Sequence, residues 1–251
     1  FGPEASDLDG ALKALVRLGV SQTEISNAVV ERYAGAPQAP ARAGGAGAAA
    51  AAPAAAGPAL APAPAAIPCT NGVPTPSAAP ARGGGGGGRA AQSPEQQAAA
   101  AAQAAAVTKW RTTVPMSKFT EVRKKFADAG VTIYAYRFTF TQPMSDAEYD
   151  YAFNAAKALG ATQITMELPS DPALSKRIGD AAVKHQINVG YHLHTTASMT
   201  AWDQAMAQSP RNGLQLGIGH YVAGTGQSPV AEVALPKSSN WTMAFPNTSC
   251  A

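Results

Sequence analysis

Charge is scarce in this 251-residue chain: Asp, Glu, Lys and Arg make up 14% of it, and the formal net charge is +3. A balance this mild, with no basic stripe interleaved with aromatics, excludes a dedicated nucleic-acid surface. Arg82 and Arg89 flank a glycine run, but two arginines in a solvated segment do not make a phosphate cradle. Cysteine is nearly absent. Cys69 and Cys250 stand alone without metal-ligand neighbours, which excludes a thiolate zinc set and gives no sign of a disulfide framework. Long apolar runs are missing as well. The longest uncharged stretch is Ala and Pro rather than Leu, Ile and Val, so no membrane-spanning helix is expected.

What the chain has in excess is alanine, proline and glycine, concentrated between residues 37 and 106, where "AGGAGAAAAAPAAAGPALAPAPAA" and "GGGGGG" occur. Such a segment has no large apolar side chains to bury and cannot offset the entropy of ordering itself. It reads as a low-complexity, disordered insertion. A helix is predicted at its end, in "SPEQQAAAAAQAAAVTKW", with Ser93 as cap. The rest divides into residues 1–36, a first helix–strand unit, residues 107–230, the remaining units, and residues 231–251, an irregular tail. Without the insertion roughly 180 residues can still enclose one core.

The foldable parts alternate. "SDLDGALKALVRLG" places Leu8, Leu12, Leu15 and Val16 at helical spacing, with Ser6 or Asp7 as cap, and "VSQTEISNAV" follows as a strand. "SKFTEVRKKFADAG" is a helix and "VTIYAYRFTF" a strand. "SDAEYDYAFNAAKALG", with Ser145 and Glu148 as a capping pair, precedes the strand "ATQITMEL". "DPALSKRIGDAAVKHQ" is a helix with Pro172 in its first turn, and "INVGYHLHT" a strand. "TASMTAWDQAMAQS" is a helix, and "NGLQLGIGHYV" reads as strand throughout, with no helix opening from it. About five strands, each preceded by a helix, imply right-handed crossovers and a parallel sheet.

A doubly wound sheet and a (β/α) barrel both fit this alternation. No strand end carries G-x-G-x-x-G, since "GIGHYVAGTG" has the wrong spacing. Polar residues recur instead at strand C-termini: Glu24, Arg137, Glu167, His192 with His194, and His220. In a barrel those ends meet on one face, where active sites lie. The barrel reading is therefore favoured. Carboxylates and imidazoles there suit a divalent cation that polarises sugar oxygens, with Glu167 as general base on a carbon-bound proton. His192 and His194 share strand parity and point to one side. Each residue also has a plainer reading: Glu167 as a salt-bridged strand end, Glu24 and Arg137 as a structural pair. His185 reads as a surface residue, and Trp202 and Asp203 as packing and solvent face.

The segments "VTIYAYRFTF", "SDAEYDYAFNAAKALGATQITMELP", "INVGYHLHT" and "GLQLGIGHYVAGTGQSPV" resemble the sugar phosphate isomerase/epimerase family of xylose-isomerase-like TIM barrels. The resemblance runs over residues 6–36 and about 107–230, and is most specific in GYH-x-H and GHYVAGTGQSP. It implies a (β/α)8 barrel and a divalent cation (Mn, Mg, Co or Zn). It also implies isomerisation or epimerisation of a sugar or polyol, by Glu167 and His192 with His194, His220, Arg137 and Glu24 around the substrate. Glu167 and His192 are the implied metal ligands in this chain. Members of this bacterial group often carry export signals, so the expected location is the cytoplasm, or the periplasm or exterior if an upstream signal precedes Phe1.

The departures are specific. Metal sites of the family draw Glu, Asp, His and Glu from successive strand ends. His192 stands where many relatives place the first Glu, and Gly217 stands where Asp is expected. The resemblance stops at Val230, so an incomplete barrel shortened at both ends, lacking about three of eight strands, is expected. For this chain, weak or absent metal binding and no measurable turnover are expected. The alternatives are a metal-dependent hydrolase or lyase on the same barrel and a non-catalytic sugar-binding protein.

Overall fold

The computed structural model describes residues 7–38, 93–194, 200–228 and 241–244. The chain divides into two compact units, residues 1–38 with 101–251, and residues 39–100. Of the second unit only residues 93–100 are described. They open a helix whose start is a reciprocal cap: the Gln96 N–H donates to Ser93 Oγ at 3.2 Å and the Ser93 N–H to Gln96 Oε1 at 3.0 Å. The remainder of the predicted insertion, 39–92, lies outside the described residues, as do 1–6, 195–199 and most of the tail.

In the first unit the elements run α1 (Leu8–Arg17), β1 (Gln22–Ser26), α2 (Asn27–Tyr33), then α3 (Pro94–Arg111), which begins in the other unit. They continue with α4 (Ser117–Asp128), β2 (Thr132–Arg137), α5 (Asp146–Leu159), β3 (Gln163–Glu167), α6 (Pro172–His185) and β4 (Asn188–His192). The last are α7 (Asp203–Gln208), β5 (Asn212–Gly217), α8 (Ile218–Thr225) and β6 (Trp241–Ala244). The Asp7 and Ser145 caps are among those read from sequence, and the Asp171 cap is not. Asp7 accepts from the Gly10 N–H, Ser145 and Glu148 form a complete capping box, and Asp171 caps α6 ahead of Pro172.

All pairings are parallel, and the strands lie side by side in chain order from β1 to β6. A doubly wound sheet reverses its order at a switch point, and this one does not. The sheet is also curled. A flat sheet would separate β1 from β5 by four strand spacings, about 19 Å. Yet the Gln215 side chain on β5 donates to the Glu24 carboxylate on β1 at 2.8 Å. Sequential parallel strands bent until the first touches the fifth form an arc of a (β/α) barrel, an incomplete one among the described residues.

The core lies between the convex face of this arc and the helices. Tyr136, Ile164, Val189 and Leu214 point outward from successive strands and are sealed by Phe119, Val122, Phe153 and Ile178. Each such side chain contributes about 2 kcal/mol through burial. A polar cluster ties α3 to this layer. Arg111 donates to both Glu31 oxygens at 3.0 and 3.2 Å, lies 3.8 Å from Glu148, and stacks 4.9 Å from the Phe138 ring centre. Burial works to raise Glu148, but N–H and hydroxyl donors from Ser145 and Thr108, with Arg111, hold it below its ordinary value.

Four readings of the sequence need correction. The strand "VSQTEISNAV" ends at Ser26, whose hydroxyl accepts from the Ala28 N–H and starts α2. "NGLQLGIGHYV" likewise breaks at Gly217, and α8 does open from it. In both cases apolar residues in a short segment fit strand and helix equally. The tail read as irregular contributes β6, paired with β5. Backbone groups on the edge of β5 hold an extended segment whatever its side-chain periodicity. His185 is 7% exposed rather than a surface residue: it stacks on Phe153, with centroids 5.0 Å apart, and its Nε2 lies 2.7 Å from Asp150 Oδ1. No helix among the described residues is long and apolar enough to cross a membrane.

Candidate functional site

The side chains that alternate onto the concave face of the arc at its C-terminal end are polar. Register places Arg137 opposite Thr165, Glu167 opposite His192, and His192 opposite Gln215. Glu24 joins them by alternation along β1, two positions before Ser26, which pairs with Arg137; the register between the two strands skips Tyr134 of β2. Its carboxylate accepts from the Thr165 hydroxyl at 2.7 Å and from the Gln215 amide at 2.8 Å.

These residues enclose a cavity of about 180 Å³ lined by Glu24, Arg137, Met166, Glu167, His192 and Gln215. It is smaller than the ~300–1,000 Å³ of pockets for drug-sized ligands and suits a small polar molecule. A second cavity, about 170 Å³, lies between α1, β1 and Phe126 and is lined largely by apolar groups such as Leu15, Ile25 and Val29. Its lining carries one titratable side chain, Glu24.

Every site residue expected from sequence is at this end of the sheet. Glu24, Arg137, Glu167 and His192 line the cavity, and His194 and His220 stand at its edge. Glu167 Oε1 is shared: Arg137 Nη2 approaches it at 3.4 Å and His194 Nε2 at 3.3 Å. Arg137 therefore pairs with Glu167, and the structural pair expected between Glu24 and Arg137 is replaced by Glu24 held on Thr165 and Gln215. Thr165 and Gln215 were missed from sequence because uncharged polar residues inside strands read as core. Their inward parity with Glu167 and Gly217 was the available signal.

His192 is held from two sides. The strand end that carries it is anchored by the Trp202 indole N–H, which donates to the Tyr191 carbonyl at 2.7 Å. Trp202 is thus packing, as expected, and Asp203 is exposed. His192 Nδ1 lies 3.3 Å from the Gln215 carbonyl oxygen. Partial burial pushes the imidazole below its ordinary pKa, against the opposing pull of the Glu167 carboxylate, so the neutral ring is favoured. The three rings of His192, His194 and His220 pack edge to face with centroids 4.6–5.5 Å apart. One ring nitrogen of each lies within 4.8 Å of the other two, and His194 Nδ1 is 3.3 Å from His220 Nε2.

Gly217 explains how the rings fit. A Cβ there would meet His192 Cε1 at 2.7 Å and His220 Cδ2 at 3.3 Å. The space that an aspartate would need at this position is filled by the two imidazoles. The Glu–Asp–His–Glu ligand set that the resemblance implies does not fit here.

No protein-family model matches the chain, and no curated protein does. Solved structures do. An uncharacterized protein of Parabacteroides distasonis is 21% identical, with TM-score 0.39, over 49% of each chain. A xylose isomerase domain protein from Planctomyces limnophilus is 13% identical, with TM-score 0.37, over 47% of this chain and 55% of that one. A sugar phosphate isomerase/epimerase from Parabacteroides distasonis is 18% identical, with TM-score 0.37, over 45% of this chain and 53% of that one. The chain spans about half the length of the solved structures it matches. Strand order and curvature, rather than these likenesses, define the fold.

Proposed function

We propose that the strand-end cavity binds a small sugar or sugar derivative and is built for proton transfer between its carbons, as in isomerisation or epimerisation. The supporting observation is the convergence of Glu167, Arg137, His192, Glu24 and Gln215 on one small cavity. A polyhydroxylated ligand needs several donors and acceptors in a confined space, and this set supplies both.

In this reading Glu167 takes the proton from the carbon next to a carbonyl. The electron pair moves onto the carbonyl oxygen, where the Arg137 guanidinium stabilises the developing negative charge. Transfer of the adjacent hydroxyl's proton to that oxygen, with return of the carbon-bound proton to the former carbonyl carbon, gives an isomer. Reprotonation of the original carbon by solvent from the opposite face gives an epimer. Gln215 and Glu24 orient hydroxyl groups. No step requires a cation.

The test is exchange at carbon, a less demanding readout than turnover. A panel of aldoses, ketoses and their phosphates is incubated with the protein in D2O and followed by NMR. Enzyme-dependent loss of one C–H signal is expected, and Glu167→Gln should abolish it while binding persists. Binding without any exchange, and with no effect of Glu167→Gln, would leave a sugar-binding protein instead. The shared engagement of Glu167 by Arg137 and His194 favours that second reading.

A further inference from the structure

The three histidines at the cavity edge make an arrangement that the Glu–Asp–His–Glu set does not describe. They come from two successive strand ends, His192 and His194 after β4 and His220 in the first turn of α8 after β5. Among the described residues they are the one group of three metal-ligating side chains with ligand atoms so close. We propose that His192, His194 and His220 form a three-imidazole site for a borderline divalent cation of the Zn²⁺ type.

The distances support this. Nitrogen ligands about 2.0–2.1 Å from a tetrahedral Zn²⁺ lie about 3.3–3.4 Å from one another. His194 Nδ1 and His220 Nε2 already stand 3.3 Å apart. The third nitrogen lies within 4.8 Å of both, so tetrahedral spacing requires it to close by at most about 1.5 Å.

The outer contacts fit the same role. Metal-bound imidazoles usually donate their other ring N–H to a carbonyl or carboxylate, which fixes the tautomer. Donation from His192 Nδ1 to the Gln215 carbonyl leaves its lone pair on Nε2. Donation from His194 Nε2 to Glu167 leaves its lone pair on Nδ1, the nitrogen that faces His220. Gly217 completes the case, because any side chain there would push His192 out of the cluster. Absence of a ligand at 217 and presence of two of the three imidazoles against it are one structural fact.

Imidazole ligands select Zn²⁺, Cu²⁺, Ni²⁺ or Co²⁺, whereas Mg²⁺ demands oxygen. The test uses the full chain after chelation and dialysis, with no sugar present, so its outcome is independent of the sugar reading. Calorimetric titration with Zn²⁺ should give one site per chain, and titration with Mg²⁺ none. His194 is 58% exposed, so His194→Ala keeps the fold, which circular dichroism verifies. That variant and His220→Ala should each weaken Zn²⁺ by more than about 100-fold, beyond the ~10–100-fold expected for loss of an outer partner. Nitrogen-15 spectra of the imidazoles should report coordination at His192 Nε2, His194 Nδ1 and His220 Nε2. Absence of stoichiometric Zn²⁺ binding by the folded chain, or Zn²⁺ binding unchanged in both alanine variants, would overturn the proposal.

Discussion

Replacement of Gly217 by alanine isolates the contact on which the histidine cluster depends. Gly217 has φ −83° and ψ 96°, which alanine adopts without strain, so the effect is one of space alone. The new methyl would sit 2.7 Å from His192 Cε1. Carbon atoms in contact prefer about 3.5–4.0 Å, so the ring must retreat by about 1 Å. That movement breaks the 3.3 Å contact from Nδ1 to the Gln215 carbonyl. Loss of the hydrogen bond costs about 1 kcal/mol, and an off-rotamer ring about another 1. Against this, Gly→Ala stiffens the unfolded chain and returns about 0.4–1 kcal/mol. The net expectation is a loss of about 1–2 kcal/mol, which lowers a urea midpoint by about 0.5–1 M at a typical slope. Imidazole NMR should show loss of the His192 Nδ1 hydrogen bond. An unchanged or raised midpoint with His192 signals intact would show that the ring does not rest against position 217.

Gly179→Ala should destabilise for a related reason, because its Cβ would lie 2.5 Å from Ser209 Cβ, in packed structure that cannot yield. About 1–3 kcal/mol is expected from urea unfolding, despite alanine's better helix propensity. Arg111→Met removes the cation between buried Glu31 and Glu148 and should cost about 3–5 kcal/mol, visible as a large fall in thermal midpoint. The pH dependence follows from His192, whose folded pKa is depressed chiefly by burial. The unfolded ring binds a proton more readily, so its contribution is complete above about pH 6.5 and is lost as pH falls through the folded value. Urea midpoints between about pH 5 and 7 should therefore rise with pH, and the slope should flatten in His192→Gln. Asp150, held low by Lys184 and His185, and Glu148 add their losses only in more acid solution.

Much of the site was legible in the sequence because strand ends and side-chain parity are local properties. Glu24, Arg137, Glu167 and His192 stand at the ends of strands whose order can be read from helix–strand alternation, and parallel register brings them to one face. What escaped was set by contacts distant in sequence. The irregular register that leaves Tyr134 of β2 unpaired depends on how β1 meets β2. The partners of Glu24, Thr165 and Gln215, lie 141 and 191 positions away. His185 looked solvent-facing in "AVKHQ", since nothing nearby announces Asp150 and Phe153 on another helix. Gly217 read as an empty ligand position, whereas its neighbours show a position cleared for two rings. The ends of α2 and α8 were lost because Ser26 and Gly217 stop a strand without interrupting the apolar pattern.

The proposed ligand of the concave strand-end cavity is a small sugar. NMR titration of the isotope-labelled protein with tetroses to hexoses and their phosphates detects it at the residues concerned. Saturable shifts confined to the His192 imidazole, the Arg137 guanidinium and the Gln215 amide, and weakened in Arg137→Met, are the predicted result. Absence of saturable shifts for every sugar, or shifts confined to the cavity between α1 and β1, would contradict it.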